Sequence, residues 1–390
     1  MISTKEALNR IERAVKNEVV LTVELKNSLG CFLSEDIESP IDLPMFDQSA
    51  MDGYAIKLED GNKFKTVGEI QAGDDASTVV LENNQAIKIF TGAMCPDSAD
   101  LVCRIEDIEE MDNTILVNEL PLEGANIRRK GEQIKKGDLA LKKGHLVTPA
   151  TIGFLANLGI SKIKVFTSPK VAILSTGNEL CPPGSILPIG KIYESNAVML
   201  ETALKQIDIE VIGSNKTLDT LQATIDNISE LLSQSDILII TGGISVGDYD
   251  FVAEALEAND VEQIFHKVSQ KPGKPFYFGT KDDKLVFALP GNPAAVMTCC
   301  YMYVLPAIQK FKGGGFEGLS SMELVSNSVI EKTNGREQFL KAFALGNEVS
   351  ILEGQSSAML HTFAEANAIV YLPAHTQLEK GDKVLTYKIY

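Results

Sequence analysis

Along residues 165–312, apolar runs alternate with segments of helical spacing. Three of the runs end in a small, polar, glycine-bearing turn. They are Lys170-Val-Ala-Ile-Leu-Ser-Thr-Gly-Asn-Glu179, Asp236-Ile-Leu-Ile-Ile-Thr-Gly-Gly-Ile-Ser-Val-Gly-Asp-Tyr-Asp250 and Leu285-Val-Phe-Ala-Leu-Pro-Gly-Asn-Pro293. Continuous apolar runs of this length predict strands buried on both faces, as in a parallel sheet. Leu221, Ile225, Ile228 and Leu232 predict one helix; others are expected after Asp250 and after Asn292-Pro293. This is a βαβ pattern. In open α/β sheets ligands sit beyond the carboxyl ends of the strands, so the three turns are where chemistry is expected.

The flanks read differently. Ser3 and Glu6 make a capping box, and Ala7, Leu8, Ile11, Ala14 and Val15 repeat at helical spacing. Residues 38–133 hold short strand-like pieces, such as Ala86-Ile-Lys-Ile-Phe90 and Thr114-Ile-Leu-Val117, broken by Gly, Pro, Asp and Asn. Thr148, Pro149 and Gly159 bracket a further helix. Gly313-Gly-Gly315 reads as a linker, and residues 320–390 as a small β-barrel. The expected fold is multidomain, α/β plus β, with no repeat and no low-complexity tract.

A chain of 390 residues exceeds one core, so two to four domains are expected. No apolar run approaches the ~18 residues of a membrane span. The N-terminus lacks a signal peptide's apolar stretch, which predicts a cytoplasmic protein without membrane association. The six cysteines show no Cys-x-x-Cys pair and read as reduced thiols, and the four histidines form no ligand motif. A formal charge of −17 argues against nucleic-acid binding. It also means that an anionic ligand would need a local positive field. Arg128, Arg129 and Lys130 with Lys135 and Lys136 are one source; Lys267, Lys271 and Lys274 are another. Either cluster is equally the pattern of a solvated face, but the second includes Pro272, Gly273 and Pro275 and is therefore a loop.

Thr241-Gly-Gly-Ile-Ser-Val-Gly247 lacks the lysine of a Walker loop and the spacing of a dinucleotide fold. Glycines after a buried strand still let backbone N–H groups approach an anion, and Ser245 adds a hydroxyl. A tight turn with no ligand fits the same spacing. Asp248, Asp250, Glu179 and Asp219 stand around this edge. Each alone fits a helix cap. Together they suit a hard divalent cation such as Mg²⁺ bridging to phosphate oxygens. Asn292-Pro293 opens a helix, whose free N–H groups are an anion site or a plain helix start.

These strings together resemble the molybdopterin molybdenumtransferase family, which includes the C-terminal domain of gephyrin. The resemblance covers nearly the whole chain. It rests on Phe46-Asp-Gln-Ser-Ala-Met-Asp-Gly-Tyr-Ala55, Ser175-Thr-Gly-Asn-Glu179, Gly242-Gly-Ile-Ser-Val-Gly247, Lys271-Pro-Gly-Lys-Pro-Phe276, Leu289-Pro-Gly-Asn-Pro293 and Asn126-Ile-Arg-Arg-Lys-Gly-Glu132. It implies a molybdopterin-binding doubly wound α/β domain over 165–315 and a helical linker domain over 1–37 and 134–164. It also implies an inserted β domain over 38–133 and a C-terminal β-barrel over 316–390. The implied assembly is a homodimer whose active cleft is shared between subunits. The implied reaction converts adenylylated molybdopterin and molybdate to molybdenum cofactor and AMP with a divalent cation, Mg²⁺.

By motif, the family's catalytic residues fall on Asp52, Glu179, Asp219, Asp250, Lys267 and Lys271. Glu179, Asp250 and Asp52 would hold the cation. The glycine loops, with Thr176, Gly177, Gly242, Gly243, Ser245, Gly247 and Asp248, would hold the pterin or phosphate end; Pro290, Asn292 and Pro293 border it. Lys274 and Arg336 join the lysines around the oxyanion, and the family's barrel serine, a further substrate-binding position, falls on Ser357. The resemblance extends to a molybdopterin adenylyltransferase and molybdoenzyme chaperones as partners. One departure stands out: Gln133 occupies a position where the family has aspartate, which keeps an acceptor oxygen and loses the charge. A non-catalytic scaffold paralogue is the alternative reading, and a tungstate-specific homologue another.

Overall fold

The three apolar runs form neighbouring parallel strands. In the computed structural model, which describes residues 1–390 apart from 17, 18, 246–249, 332, 334 and 390, they belong to one six-stranded sheet. Its strands are β1 (Val171–Thr176), β2 (Val211–Thr217), β3 (Ile237–Thr241), β4 (Glu262–His266), β5 (Tyr277–Lys281) and β6 (Lys284–Leu289). Their order is β2-β1-β3-β6-β5-β4; the first four are mutually parallel, and β5 runs antiparallel to both of its neighbours, β6 and β4. Alternate residues serve the two faces. Ile173, Ile239 and Phe287 pack with helix α1 (Asn196–Lys205) and with α4 (Pro293–Cys299). Leu174, Leu238, Ile240 and Val286 pack with α2 (Leu221–Gln234) and α3 (Val252–Ala258). Each buried Leu, Ile or Phe contributes about 1.5–3 kcal/mol, so both faces of this sheet favour cover by helices.

Five further strands close a barrel: β7 (Ser321–Ser326), β8 (Glu337–Leu345), β9 (Glu348–Ile351), β10 (Ala368–Leu372) and β11 (Lys383–Lys388). The circular order is β8-β9-β7-β11-β10 and back to β8. Leu340, Val349, Val370 and Val384 fill it. A short strand, Gln270–Lys271, pairs in parallel with β8 at Gln270↔Glu337 and Lys271↔Gln338. Gly313-Gly-Gly315 is not a loose linker. Gly313, at φ +89°, ends a helix and donates to the Lys310 carbonyl at 2.9 Å. A Cβ there would lie 2.1 Å from the Phe166 ring, so only glycine fits.

These elements, with Met1–Leu21, make one compact unit; Thr22–Lys164 makes a second. At the N-terminus Ser3 Oγ accepts from the Glu6 N–H at 3.1 Å, while the Glu6 carboxylate pairs with Arg10 at 2.7 Å. The second unit is built on a six-stranded mixed sheet ordered Leu101–Arg104, Gly53–Ile56, Gln85–Ile89, Lys63–Ile70, Thr114–Val117, Ile108–Met111. Its helix Pro149–Asn157 starts at Thr148, which accepts from the Thr151 N–H at 3.2 Å. No described helix is long and apolar enough to cross a membrane. Cys95, Cys103, Cys299 and Cys300 are buried and Cys31 and Cys181 half-buried, and among the described residues they form no disulfide.

Candidate active site

Strand register assembles the site. Ser175 pairs with Thr241, Thr176 with Thr217, and Thr241 with Leu289. The carboxyl ends of β1, β2, β3 and β6 therefore share one edge. The loops that follow line a single cleft of about 670 Å³. It brings together Thr176, Gly177, Glu179, Asp219, Gly242, Gly243, Ser245, Asp250, Pro290, Asn292 and Pro293. Of the residues expected there, Gly247 and Asp248 lie outside the described residues.

The glycines are required by geometry. Gly242 has φ +85°, and a Cβ on it would lie 2.8 Å from Thr176 Oγ1 and 2.9 Å from the Thr176 carbonyl oxygen. Gly243 has φ +61° and would clash with Val252 and Thr176. Beneath the loop, His266 Nε2 lies 3.1 Å from the Ile244 carbonyl oxygen and donates to it. Burial lowers the His266 pKa, which favours the neutral ring with its proton on that nitrogen.

Asp219 is not a helix cap. Its Oδ2 accepts from the Asn178 N–H at 2.9 Å, and its own N–H donates to Asn178 Oδ1 at 3.2 Å. This reciprocal pair ties the loop after β2 to the loop after β1. Among the described residues no three His, Cys, Asp or Glu side chains are grouped as a metal cage. Glu179 and Asp250 nevertheless line the same cleft. That donor set suits Mg²⁺, which takes one or two carboxylates and keeps waters and phosphate oxygens for its remaining positions.

A second cleft, of about 280 Å³, adjoins the first and shares Pro275, Pro290 and Asn292 with it. Its charged lining is all cationic, Lys271, Lys274 and Arg336, and the neutral polar groups Asn292, Gln355 and Ser357 stand among them. The lysines ride on a closed loop, in which the Lys267 N–H donates to the Phe276 carbonyl at 2.9 Å and the Val268 N–H to the Lys274 carbonyl at 3.0 Å. Lys267 itself, at φ +75°, lines neither cleft. Pairing of Gln270–Lys271 with β8 brings Arg336, which precedes β8, beside the lysine loop. The start of α4 is not an open anion site. The Ala294 N–H donates to the Ser357 carbonyl at 3.0 Å, and Asn292 Nδ2 donates to Ser357 Oγ at 2.9 Å.

Sequence reasoning overlooked the supports of this loop. Gln270 is fully buried; its Nε2 donates to the Pro272 carbonyl at 3.0 Å, and its Oε1 accepts from the Tyr303 hydroxyl. A Cβ on Gly273, at φ +88°, would sit 2.6 Å from Cys299 Sγ. Cys299 thus shapes the loop rather than reacting, and burial pushes its thiol well up. The readable signal was the apolar setting of Cys299-Cys300 in a helix that follows a glycine turn.

In the other unit, Asp52 is exposed just before the strand Gly53–Ile56. Its Oδ1 accepts from the Thr91 N–H and hydroxyl, both at 2.8 Å, and these bonds hold its carboxyl below the usual range. Thr91, which sequence reasoning passed over, is its orienting partner. The first basic cluster is partly neutralised: Arg129 pairs with Asp47 at 2.6 Å and Lys130 with Asp42 at 3.6 Å. Glu132 accepts from the Arg129 N–H at 2.8 Å, and the exposed Gln133 is held by its backbone N–H to the Leu43 carbonyl at 3.0 Å.

Comparison with known proteins matches three families in chain order. Residues 2–159 match the MoeA N-terminal region (domain I and II), residues 172–310 the probable molybdopterin binding domain, and residues 324–389 the MoeA C-terminal region (domain IV). The molybdopterin molybdenumtransferase of Staphylococcus aureus is 34% identical over 388 residues, covering 95% of this chain and 91% of the relative. The chain belongs to the molybdopterin molybdenumtransferase (MoeA) family. The Staphylococcus epidermidis member is 33% identical and covers 98% of this chain and 94% of its own. A crystal structure of the MoeA protein from Pyrococcus horikoshii superposes with a TM-score of 0.86 at 30% identity, covering 100% of this chain and 99% of that one. The MoeA fold is thus shared end to end, including the α/β domain and the barrel.

Proposed function

We infer that this chain is a transferase of molybdenum cofactor biosynthesis. It inserts molybdate into adenylylated molybdopterin and releases AMP. The observation that carries the reading is the pair of adjoining clefts, one lined with carboxylates and glycine loops, the other with two lysines and an arginine. The reaction needs that pairing, because a pyrophosphate and an oxyanion must meet without merging their charges.

The glycine loop offers backbone N–H groups to the phosphates, and Ser245 a hydroxyl. Asp219 holds the rim through Asn178. Lys271, Lys274 and Arg336 bind the tetrahedral dianion through charge-assisted hydrogen bonds. Pro275 and Pro290, common to both clefts, fix the wall between the sites. Glu179 and Asp250 would hold a Mg²⁺. When bound, that ion supplies Lewis-acid polarisation of the pyrophosphate. Asp52, oriented by Thr91, would complete the site from a second copy of the chain in a homodimer. Lys267, which lines neither cleft, would act through the fold of the lysine loop.

The deciding experiment is incubation of the purified protein with adenylylated molybdopterin, molybdate and Mg²⁺. AMP release is expected to depend on both ions. Binding of adenylylated molybdopterin without AMP release would favour a non-catalytic scaffold, and release with tungstate but not molybdate a tungstate enzyme.

A further inference from the structure

Lys341, in β8, is a buried lysine outside the set just described. Its residue is only 4% exposed. Its Nζ donates to three backbone carbonyls: Gly354 at 2.7 Å, Ser356 at 3.2 Å and Met359 at 2.9 Å. Among the described residues it makes no ion pair. Burial accordingly lowers its pKa, and no carboxylate offsets the effect. An ammonium in such a cage uses all its donors and keeps an uncompensated charge.

The caged segment is the one that carries Ser357. Its other tether is Gln355. The Gln355 Oε1 accepts from the Lys341 N–H at 3.0 Å, and its Nε2 donates to the Lys341 and Leu352 carbonyls at 2.8 and 2.7 Å. Ser357 lies between two of the caged carbonyls and lines the cationic cleft, while Ala358 lines the acidic one. Ser357 Oγ already accepts from Asn292. Its hydroxyl proton is then free to turn toward an anion in the cleft.

We propose that Lys341 is a positioning residue of the oxyanion site: its buried ammonium folds residues 352–359 so that Ser357 faces the anion. The lysine also places a positive charge behind the loop, where a dianion in the cleft supplies the missing countercharge. A purely structural buried cation would be a poor choice here. Apolar replacements of buried charges are often neutral or favourable for stability, provided the polar partners find water. The 352–359 loop is half-exposed, so its carbonyls have that option.

This inference rests on the reading of the cationic cleft as the oxyanion site, and the test separates the two. Molybdate alone is titrated calorimetrically into wild type, Lys341→Met and Gln355→Ala, with thermal melting in parallel. Turnover is then measured against each substrate. Lys341→Met is expected to stay folded and to bind molybdate about tenfold more weakly, the loss of roughly one charge-assisted hydrogen bond. Its half-saturation for molybdate should rise while that for adenylylated molybdopterin stays within about twofold, as for loss of one substrate's site. Gln355→Ala, which keeps the charge but removes a loop tether that also lines the cleft, should show a smaller shift of the same sign. A merely structural role would lower the folded fraction and turnover without moving molybdate affinity. A folded Lys341→Met with wild-type molybdate affinity overturns the inference. Should Lys341→Met not fold, unchanged molybdate affinity in Gln355→Ala overturns it instead. If wild type itself does not bind molybdate, the oxyanion reading falls, and this inference with it.

Discussion

The two clefts are built by opposite means. The acidic one is local: short turns after β1, β2, β3 and β6 meet because parallel register aligns the strand ends. The cationic one is assembled from distant segments. Lys271 comes from the loop before β5, Asn292 from the start of α4, Arg336 from the edge of the barrel, and Ser357 from a loop folded around Lys341. A site made by register tolerates little change in backbone geometry. A site made by long-range assembly depends on supports that themselves touch no ligand. Tests that break one kind of site should leave the other's signature intact.

The largest effect is expected from the carboxylates. Glu179→Gln or Asp250→Asn should slow AMP release about a hundredfold, ~2.7 kcal/mol in transition-state stabilisation, with molybdate affinity nearly unchanged. A loss of molybdate affinity instead would mean that the clefts act as one site. An Asp52→Asn chain mixed with a Glu179→Gln chain should recover activity after subunit exchange if the site is shared between two copies. No recovery with exchange confirmed would place it within one chain.

Next come the cations. Lys271→Ala and Arg336→Ala should each weaken molybdate binding by about 1–3 kcal/mol, more at low salt than at high. Unchanged affinity in both would make this cleft a solvated face. The backbone test follows. Gly242→Ala puts a Cβ against the Thr176 carbonyl at positive φ and should cost about 1–3 kcal/mol in urea unfolding. Full stability would show that the turn relaxes and that the register argument is too strict. The smallest effect concerns Gln133. Its side chain is exposed, so Gln133→Asp adds one charge in water-like surroundings, worth about 1 kcal/mol at ~4 Å. Mg²⁺ half-saturation of AMP release should therefore tighten about fivefold at most; no change means that this segment does not meet the cation.

Much of the acidic cleft was legible before any coordinates. A run such as Ile237-Leu-Ile-Ile-Thr241 has no polar face, so it must be covered on both sides, and its glycine turn must then emerge at a strand end. Capping and turn chemistry act over a few residues, which is why Ser3, Thr148 and Gly159 marked helix limits correctly. The glycine string 313–315 misled because a helix cap and a flexible linker share one composition. Its close packing on Phe166 is a contact between residues 147 apart in sequence.

The sequence by itself determined the alternation of buried strands and helices, the positions needing positive φ and the supply of acids and lysines. Those depend on side-chain polarity and backbone sterics, which act locally. Only the tertiary structure decided that Asp219 ties to Asn178 rather than capping its helix, that Lys267 lines neither cleft, and that Lys341 is caged behind Ser357. The two pairings span 41 residues for Asp219 with Asn178 and 13 to 18 for Lys341 with its carbonyls, beyond the reach of local propensity. A donor can be counted in a sequence, but which acceptor it meets is settled when the strands register and the barrel closes beside the sheet.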